Sequence, residues 1–215
     1  MIKLVIFDMD GVLIDSEEAV TVAAVEALES WGIKASPSDF KQFTGMGENK
    51  FIGGVAELYG KEFDPAMKDL TYKIYVDTAD ERVTVYPWSK PIVSRLNQAG
   101  YKTAIASAAD KIKVDCNVKC IGLDLSVFSA VITGSDVTRH KPNPDVFLKA
   151  AEKSGIAPQY SLVIEDAVSG VQAAKAAGMT CIALTTSFDE ETLRNAGADY
   201  VLPGLENAFE LISSL

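Results

Sequence analysis

Four short segments of this 215-residue chain place reactive side chains directly behind apolar runs. Asp8 and Asp10 lie in Phe7-Asp8-Met9-Asp10-Gly11, and Ser107 in Ala106-Ser107-Ala108. Lys141 opens Lys141-Pro142-Asn143-Pro144-Asp145, and Glu165-Asp166 follow Leu162-Val163-Ile164. Acids, a hydroxyl and an amine are the groups needed for nucleophilic attack, proton transfer and cation binding. Four carboxylates gathered in one place would repel one another and raise their own pKa values. A divalent cation would relieve that repulsion, and hard oxygen ligands favour Mg²⁺. Each segment also has a plainer use. Asp-x-Asp-Gly is a common turn in which Gly supplies a positive φ. Ser107 could be a loop or N-cap hydroxyl, and Glu165-Asp166 could cap the helix that follows. Lys141 could be a solvated cation, and the lone His140 a loop residue. All of these plain uses would have to hold at once, and their shared position argues against that coincidence.

The elements that must position these residues are legible in the hydrophobic pattern. Lys102–Ala106, Ala130–Thr133, Leu162–Ile164, Cys181–Leu184 and Tyr200–Leu202 read as short strands, as does Leu4–Phe7 at the start. Helical patterns lie between them, including Pro144–Ser154 and Ala167–Ala177, the latter closed by Gly178. Continuous rather than alternating hydrophobicity means that both strand faces are covered. The strand–helix repeat therefore predicts an α/β fold with a doubly wound, parallel, Rossmann-like sheet. In such a sheet ligands bind outside the carboxyl ends of the strands, where the four segments fall.

Residues 15–85 break the rhythm, with helical periodicity in Glu17–Trp31 and Asp64–Asp80, a Gly-rich turn at Gly45-Met46-Gly47 and no convincing buried strand. They predict an all-helical domain inserted into a core made of residues 1–14 and 86–215. The insert carries seven cations and fourteen acids, net −7, within a chain whose formal net charge is −10. That acid excess argues against nucleic acid and against an anionic membrane surface, both of which need clustered cations. Three cysteines, Cys116, Cys120 and Cys181, are too few for a disulfide framework and suit a reducing compartment. Cys116 and Cys120, four apart, are expected to be two small buried thiols. The leading run MIKLVIFD is too short for a signal-peptide core or a membrane span. The expectation is a cytoplasmic monomer.

In this order, the four segments resemble the four motifs of the haloacid dehalogenase-like superfamily. The helical insert and the Glu165-Asp166 form of the last motif are similar to the β-phosphoglucomutase and phosphatase branch, whose insert is a type-1 cap. The resemblance implies that Asp8 attacks phosphorus and forms an aspartyl-phosphate. It implies that Asp10 protonates the leaving oxygen and then activates water. Asp8, the Asp10 backbone carbonyl and Asp166 would hold Mg²⁺, with Glu165 either a ligand or a partner of the ligands. Ser107 and neighbouring N–H groups, such as that of Ala108, would grip phosphoryl oxygens. Lys141 would offset the negative charge. An acid at Asp10 argues against true haloacid dehalogenation.

Phosphatase and mutase share these core residues, so the insert must separate them. Mutases carry a histidine where this chain has Val20, and an arginine in the Gly-containing loop at about the position of Glu48. An acid there would repel a second phosphate. Lys50 is a candidate substitute, or else a helix-surface cation. Gly45, Glu48 and Lys50 are therefore the candidate substrate contacts of the insert. The sequence favours a Mg²⁺-dependent phosphatase acting on a small phosphomonoester, such as a sugar phosphate. The alternatives are a β-phosphoglucomutase-type mutase and a non-catalytic phosphate-binding or interaction module. A signalling receiver domain would be shorter and would lack the insert. The hinges of the insert are expected near residues 14–16 and 85–87.

Overall fold

The structure is a computed structural model, and it describes residues 1–43 and 47–215. In chain order its strands and helices are β1 (Leu4–Phe7), β2 (Ile14–Asp15), α1 (Glu17–Glu29), α2 (Pro37–Phe40), α3 (Glu48–Leu58), α4 (Pro65–Arg82), β3 (Thr84–Val85) and α5 (Ser89–Gln98). There follow β4 (Lys102–Ala106), α6 (Lys111–Cys120), β5 (Ala130–Ile132), α7 (Asp145–Ser154), β6 (Ser161–Glu165) and α8 (Val168–Ala176). The chain ends with β7 (Thr180–Leu184), α9 (Glu190–Asn195), β8 (Tyr200–Leu202) and α10 (Ala208–Ser213).

Six strands form one parallel sheet in the order β5-β4-β1-β6-β7-β8. β1 is central because Leu-Val-Ile-Phe can be apolar on both faces. Leu4 and Ile6 face one core with α7 and α8, through Phe147, Ala150, Val171 and Ala174. Val5 and Phe7 face the other, with Val93 and Leu96 of α5, Val114 and Val118 of α6 and Ile212 of α10. The period-two alternation of a strand thus feeds two separate cores. The doubly wound parallel sheet expected from the sequence is the one observed.

After β1 the chain builds helices α1–α4 around a third apolar cluster, which includes Ala23, Leu28, Phe40, Ile52, Val55 and Tyr75. The rings of Phe40 and Phe51 meet there at 4.8 Å. Asp64 caps α4 by accepting from the Ala66 N–H, and Pro65 occupies the first turn, where no N–H is needed. Gly178, expected to close a helix, stands just past α8 with φ +71°.

Two details differ from the sequence reading. Ile14 and Asp15 pair antiparallel with Val85 and Thr84 where the chain leaves and returns. A two-residue ladder carries no periodicity, so the hydrophobic pattern could not announce it. Cys116 and Cys120 do share a face of α6, but both are only half-buried, and Cys181 alone is buried. Cys116 and Cys120 both pack against the helical cluster, Cys120 touches the sheet core as well, and its thiol approaches Asp80 of α4 at 3.4 Å.

Because β1 packs on both faces, Ile6→Ala should cost about 2–5 kcal/mol of stability, read as a lower urea midpoint at unchanged slope.

Candidate active site

The carboxyl ends of β1, β4 and β6 bring three of the sequence-predicted groups into contact. Lys141 Nζ donates to Asp8 Oδ1 at 2.6 Å and to Glu165 Oε1 at 2.6 Å, with a longer bond to the Ala106 carbonyl at 3.3 Å. The lysine side chain is buried and lies 4.9 Å from the Phe147 ring centroid. Glu165 uses its other oxygen, Oε2, to accept from the N–H groups of Asp166 and Ala167 at 2.9 and 3.0 Å. Both ends of Glu165 are therefore engaged, and it anchors Lys141 to the β6–α8 turn.

Asp8, Glu165 and Asp166 each offer a carboxylate oxygen, all within 4.8 Å of one another. Burial pushes the Asp8 carboxyl up to about 7, overcoming the attraction of Lys141, with Glu165 and Asp10 adding repulsion. Burial likewise raises Asp166 well above the usual carboxylate range, reinforced by Glu165 and Asp8. Burial works against the charge of Lys141 too, but there Asp8 and Glu165 prevail and its pKa is raised. Acids held this far from their ordinary values favour a cation beside them. A donor set made wholly of carboxylate oxygens fits a hard ion such as Mg²⁺.

Asp10 stands apart from this trio. Its carboxylate accepts from Lys113 Nζ at 3.0 Å, from Asn117 Nδ2 at 3.4 Å and from the hydroxyl of Ser16. The sequence reading brings Asp10 to the cation through its backbone carbonyl. Among the described residues the side-chain cluster holds Asp8, Glu165 and Asp166, and the Asp10 carboxylate is bonded to donors of α6 and to Ser16.

Ser107 is buried at the end of β4, where its Oγ accepts from the Ala109 N–H at 3.1 Å. Ala108 lies exposed at the rim, and no hydrogen bond among the described residues uses its N–H. Gly134, just past β5, supports this loop by close approach, since a Cβ there would sit 2.2 Å from the Ala108 carbonyl oxygen. His140 is exposed and contributes its backbone carbonyl to the loop, accepting from Asn143.

Of the insert residues, Gly45 lies outside the described residues. Glu48, at the first turn of α3, comes close enough to Lys113 and Asp10 to feel both charges, and burial raises its pKa. Lys50 does not join the site. It pairs with Glu57 on the exposed face of α3 at 3.0 Å.

Lys113 and Asn117 were missed in the sequence, although their i, i+4 spacing beside the core pair Val114 and Val118 marks polar groups on the inner side of a helix. Thr186 and Ser187 were missed as well. Thr186 Oγ1 donates to the Gly11 carbonyl at 2.6 Å, and the Ser187 hydroxyl donates to Asp166. They follow β7, so examining every strand end, and not four of them, would have found them.

With this geometry in place, comparison with known proteins becomes specific. Residues 5–184 match the family of haloacid dehalogenase-like hydrolases. The chain belongs to that family. The resemblance read from the motifs and the fold class expected from the pattern both hold. Over 210 residues the chain is 41% identical to the protein SUPPRESSOR OF QUENCHING 1, chloroplastic, of Arabidopsis thaliana, matching 96% of this chain and 20% of that much longer protein. It is 31% identical to hexitol phosphatase A of Escherichia coli, covering 94% of this chain and 90% of that one. Phosphatases are thus among its haloacid dehalogenase-like relatives, and that is the enzyme class expected from the sequence. Among solved structures, CbbY of Rhodobacter sphaeroides in complex with phosphate superimposes with a TM-score of 0.84 at 23% identity over 96% of both chains. The β-phosphoglucomutase of Clostridium difficile gives 0.83 at 23% identity, covering 100% of this chain and 96% of that one. At these identities the structures attest the shared fold.

Gly134→Ala should force the Ser107–Ala109 loop outward. Turnover should fall by at least about tenfold while the melting temperature drops only a few degrees, a split read by parallel kinetics and thermal unfolding.

Proposed function

We propose that this chain is a Mg²⁺-dependent phosphatase that hydrolyses a small phosphomonoester through an aspartyl-phosphate on Asp8. The observation that carries the reading is the buried Lys141 bonded to both Asp8 and Glu165 beside Asp166. Lys141 fixes the Asp8 carboxylate and supplies positive charge where a phosphoryl group would gather negative charge, and positioning and electrostatics dominate such reactions. Asp8 and Asp166 are the acids whose raised pKa values call for a cation, so they would hold the metal, joined by the Asp10 carbonyl. Glu165, with both oxygens engaged, would act through Lys141 and the turn. Bound Mg²⁺ would neutralise phosphoryl oxygens and align them for in-line attack.

In the first half-reaction an Asp8 oxygen bonds to phosphorus as the ester P–O bond breaks, and Asp10 gives its proton to the leaving oxygen. In the second, the oxygen of a water bonds to phosphorus and its proton passes to Asp10. The bond to Asp8 then breaks and inorganic phosphate leaves. Ser107 and the Ala108 N–H would hold phosphoryl oxygens throughout.

The helical unit of residues 15–85 would serve as the cap over this site, turning about the segments near β2 and β3. Glu48 favours hydrolysis over the mutase reading, because an acid beside Asp10 and Lys113 repels a second phosphate. Val20 lies within the helical cluster, where it packs and does no proton chemistry. A sugar or polyol monophosphate fits such a site better than a bisphosphate. The relative named hexitol phosphatase A supports that substrate class. The three cysteines are free, which supports a cytoplasmic location, and no helix among the described residues is long and apolar enough to cross a membrane.

The purified protein with Mg²⁺ should release inorganic phosphate from p-nitrophenyl phosphate and from sugar monophosphates. A chelator should abolish release, and Asp8→Asn should lower it at least about 10³-fold without loss of fold. Conversion of β-glucose 1-phosphate to glucose 6-phosphate with no free phosphate would instead establish the mutase. Lys50→Ala should leave the KM for every substrate within about twofold, as expected of an exposed ion pair.

A further inference from the structure

Lys113 is a costly residue to place where it stands. It is buried on α6 with its ammonium 6.0 Å from the Tyr75 ring centroid, so the cost of taking that charge out of water must be met by the groups that face it. Its ammonium meets Asp10 Oδ2 at 3.0 Å. One turn along the helix, Asn117 is fully buried with both ends of its amide engaged. Its Nδ2 donates to Asp10 Oδ1 at 3.4 Å, and its Oδ1 accepts from the Tyr75 hydroxyl of α4 at 2.5 Å. Ser16, just before α1, donates to the same Asp10 oxygen. The two aspartates of the Asp-x-Asp segment thus have separate buried lysines: Lys141 holds Asp8, and Lys113 holds Asp10.

We propose that Lys113 and Asn117 of α6 are positioning residues for Asp10, holding its carboxylate where it takes the proton of the water that hydrolyses the aspartyl-phosphate. The assignment rests on the phosphatase reading above. In that half-reaction the water oxygen bonds to phosphorus, the phosphorus bond to Asp8 breaks, and the water proton passes to Asp10. A carboxylate tied at one oxygen only could swing toward the Asp8–Glu165–Asp166 cluster or into solvent. Donors on both oxygens, two of them from one rigid helix, fix the plane of the carboxylate. The Tyr75 bond links that arrangement to α4, so the geometry at Asp10 depends on the helical unit being seated on α6.

The test is Lys113→Met with p-nitrophenyl phosphate and Mg²⁺. The p-nitrophenolate ion leaves without a proton, so kcat/KM reads formation of the aspartyl-phosphate and is nearly blind to Asp10, whereas kcat includes its hydrolysis. The expected result is a fall in kcat of about 10–100-fold with KM falling in parallel, so that kcat/KM stays within about threefold. Asn117→Ala should show the same split to a smaller degree, and it decides the question if Lys113→Met does not fold. Equal losses in kcat and kcat/KM would mean a structural role and would overturn the assignment, as would unchanged kcat in both variants. A wild-type protein that releases no phosphate under these conditions would instead overturn the phosphatase reading itself.

Discussion

The arrangement at the sheet's edge depends on one buried cation. Lys141 sits between Asp8 on β1 and Glu165 on β6, bonded to each at 2.6 Å. Without it, two carboxylates would stand in the same apolar surroundings with no compensating charge, and breaking a buried ion pair in this way typically costs about 3–5 kcal/mol. With it, the ends of two adjacent strands are tied by charge as well as by the ladder between them. Lys141 comes from the long connection after β5, so the same bonds hold that loop against the sheet. Burial still holds Asp8 and Asp166 above the ordinary carboxylate range, and the neighbouring acids add to it. The site is thus stable as built and still electrostatically incomplete, a condition suited to receiving a cation.

Close packing protects this arrangement. A Cβ on Gly170 would come within 1.8 Å of Glu165 Oε1, and one on Gly11 within 1.9 Å of Asp166 Oδ2. The two acids occupy volume that any larger neighbour would claim, so their carboxylates are held by shape as well as by hydrogen bonds. Across the seam to the helical unit, polar contacts do comparable work. Lys68 of α4 pairs with Asp110 at 2.9 Å, and Ser135 donates to the same aspartate at 2.8 Å. Tyr75, wholly buried in the helical cluster, sends its hydroxyl out of that cluster to Asn117. This seam therefore combines polar bonds, one of them between fully buried residues, with apolar contacts at Val83, Cys116 and Cys120.

Most of the frame could be read from the sequence because it obeys simple periodicities. The strands are apolar runs whose two faces are both covered, and the sheet rule places Asp8, Ser107, Lys141 and Glu165-Asp166 at one edge. Less visible were interactions set by the meeting of distant elements. Nothing in Lys111–Cys120 says that Lys113 will meet Asp10, 103 residues away. A lysine on a helix is usually solvated, and only the packing of α6 under the helical unit makes this one internal. Glu48 and Lys50 were both candidate substrate contacts, with no sign in the sequence of which way either side chain would turn. One turns toward Lys113 and the other outward to Glu57, because two positions along a helix rotate a side chain by more than half a turn of its circumference. Ser187 was findable by the same rule that found Ser107, had that rule been carried to β7.

The short ladder of β2 and β3 carries a consequence for how such a protein diversifies. Ile14 stands opposite Val85, so the chain departs and comes back through neighbouring, mutually bonded positions. To the sheet, everything between them is equivalent to a tight hairpin loop, whatever its length. Loop-closure entropy rises only logarithmically with the residues enclosed, so the size of the excursion scarcely touches the energetics of the parallel strands. The helices of this segment can be lengthened, shortened or exchanged across evolution while Asp8 and Asp10, a few residues upstream, keep their register. The ladder is a socket: the strand ends keep their places whatever helices are plugged in between Ile14 and Val85.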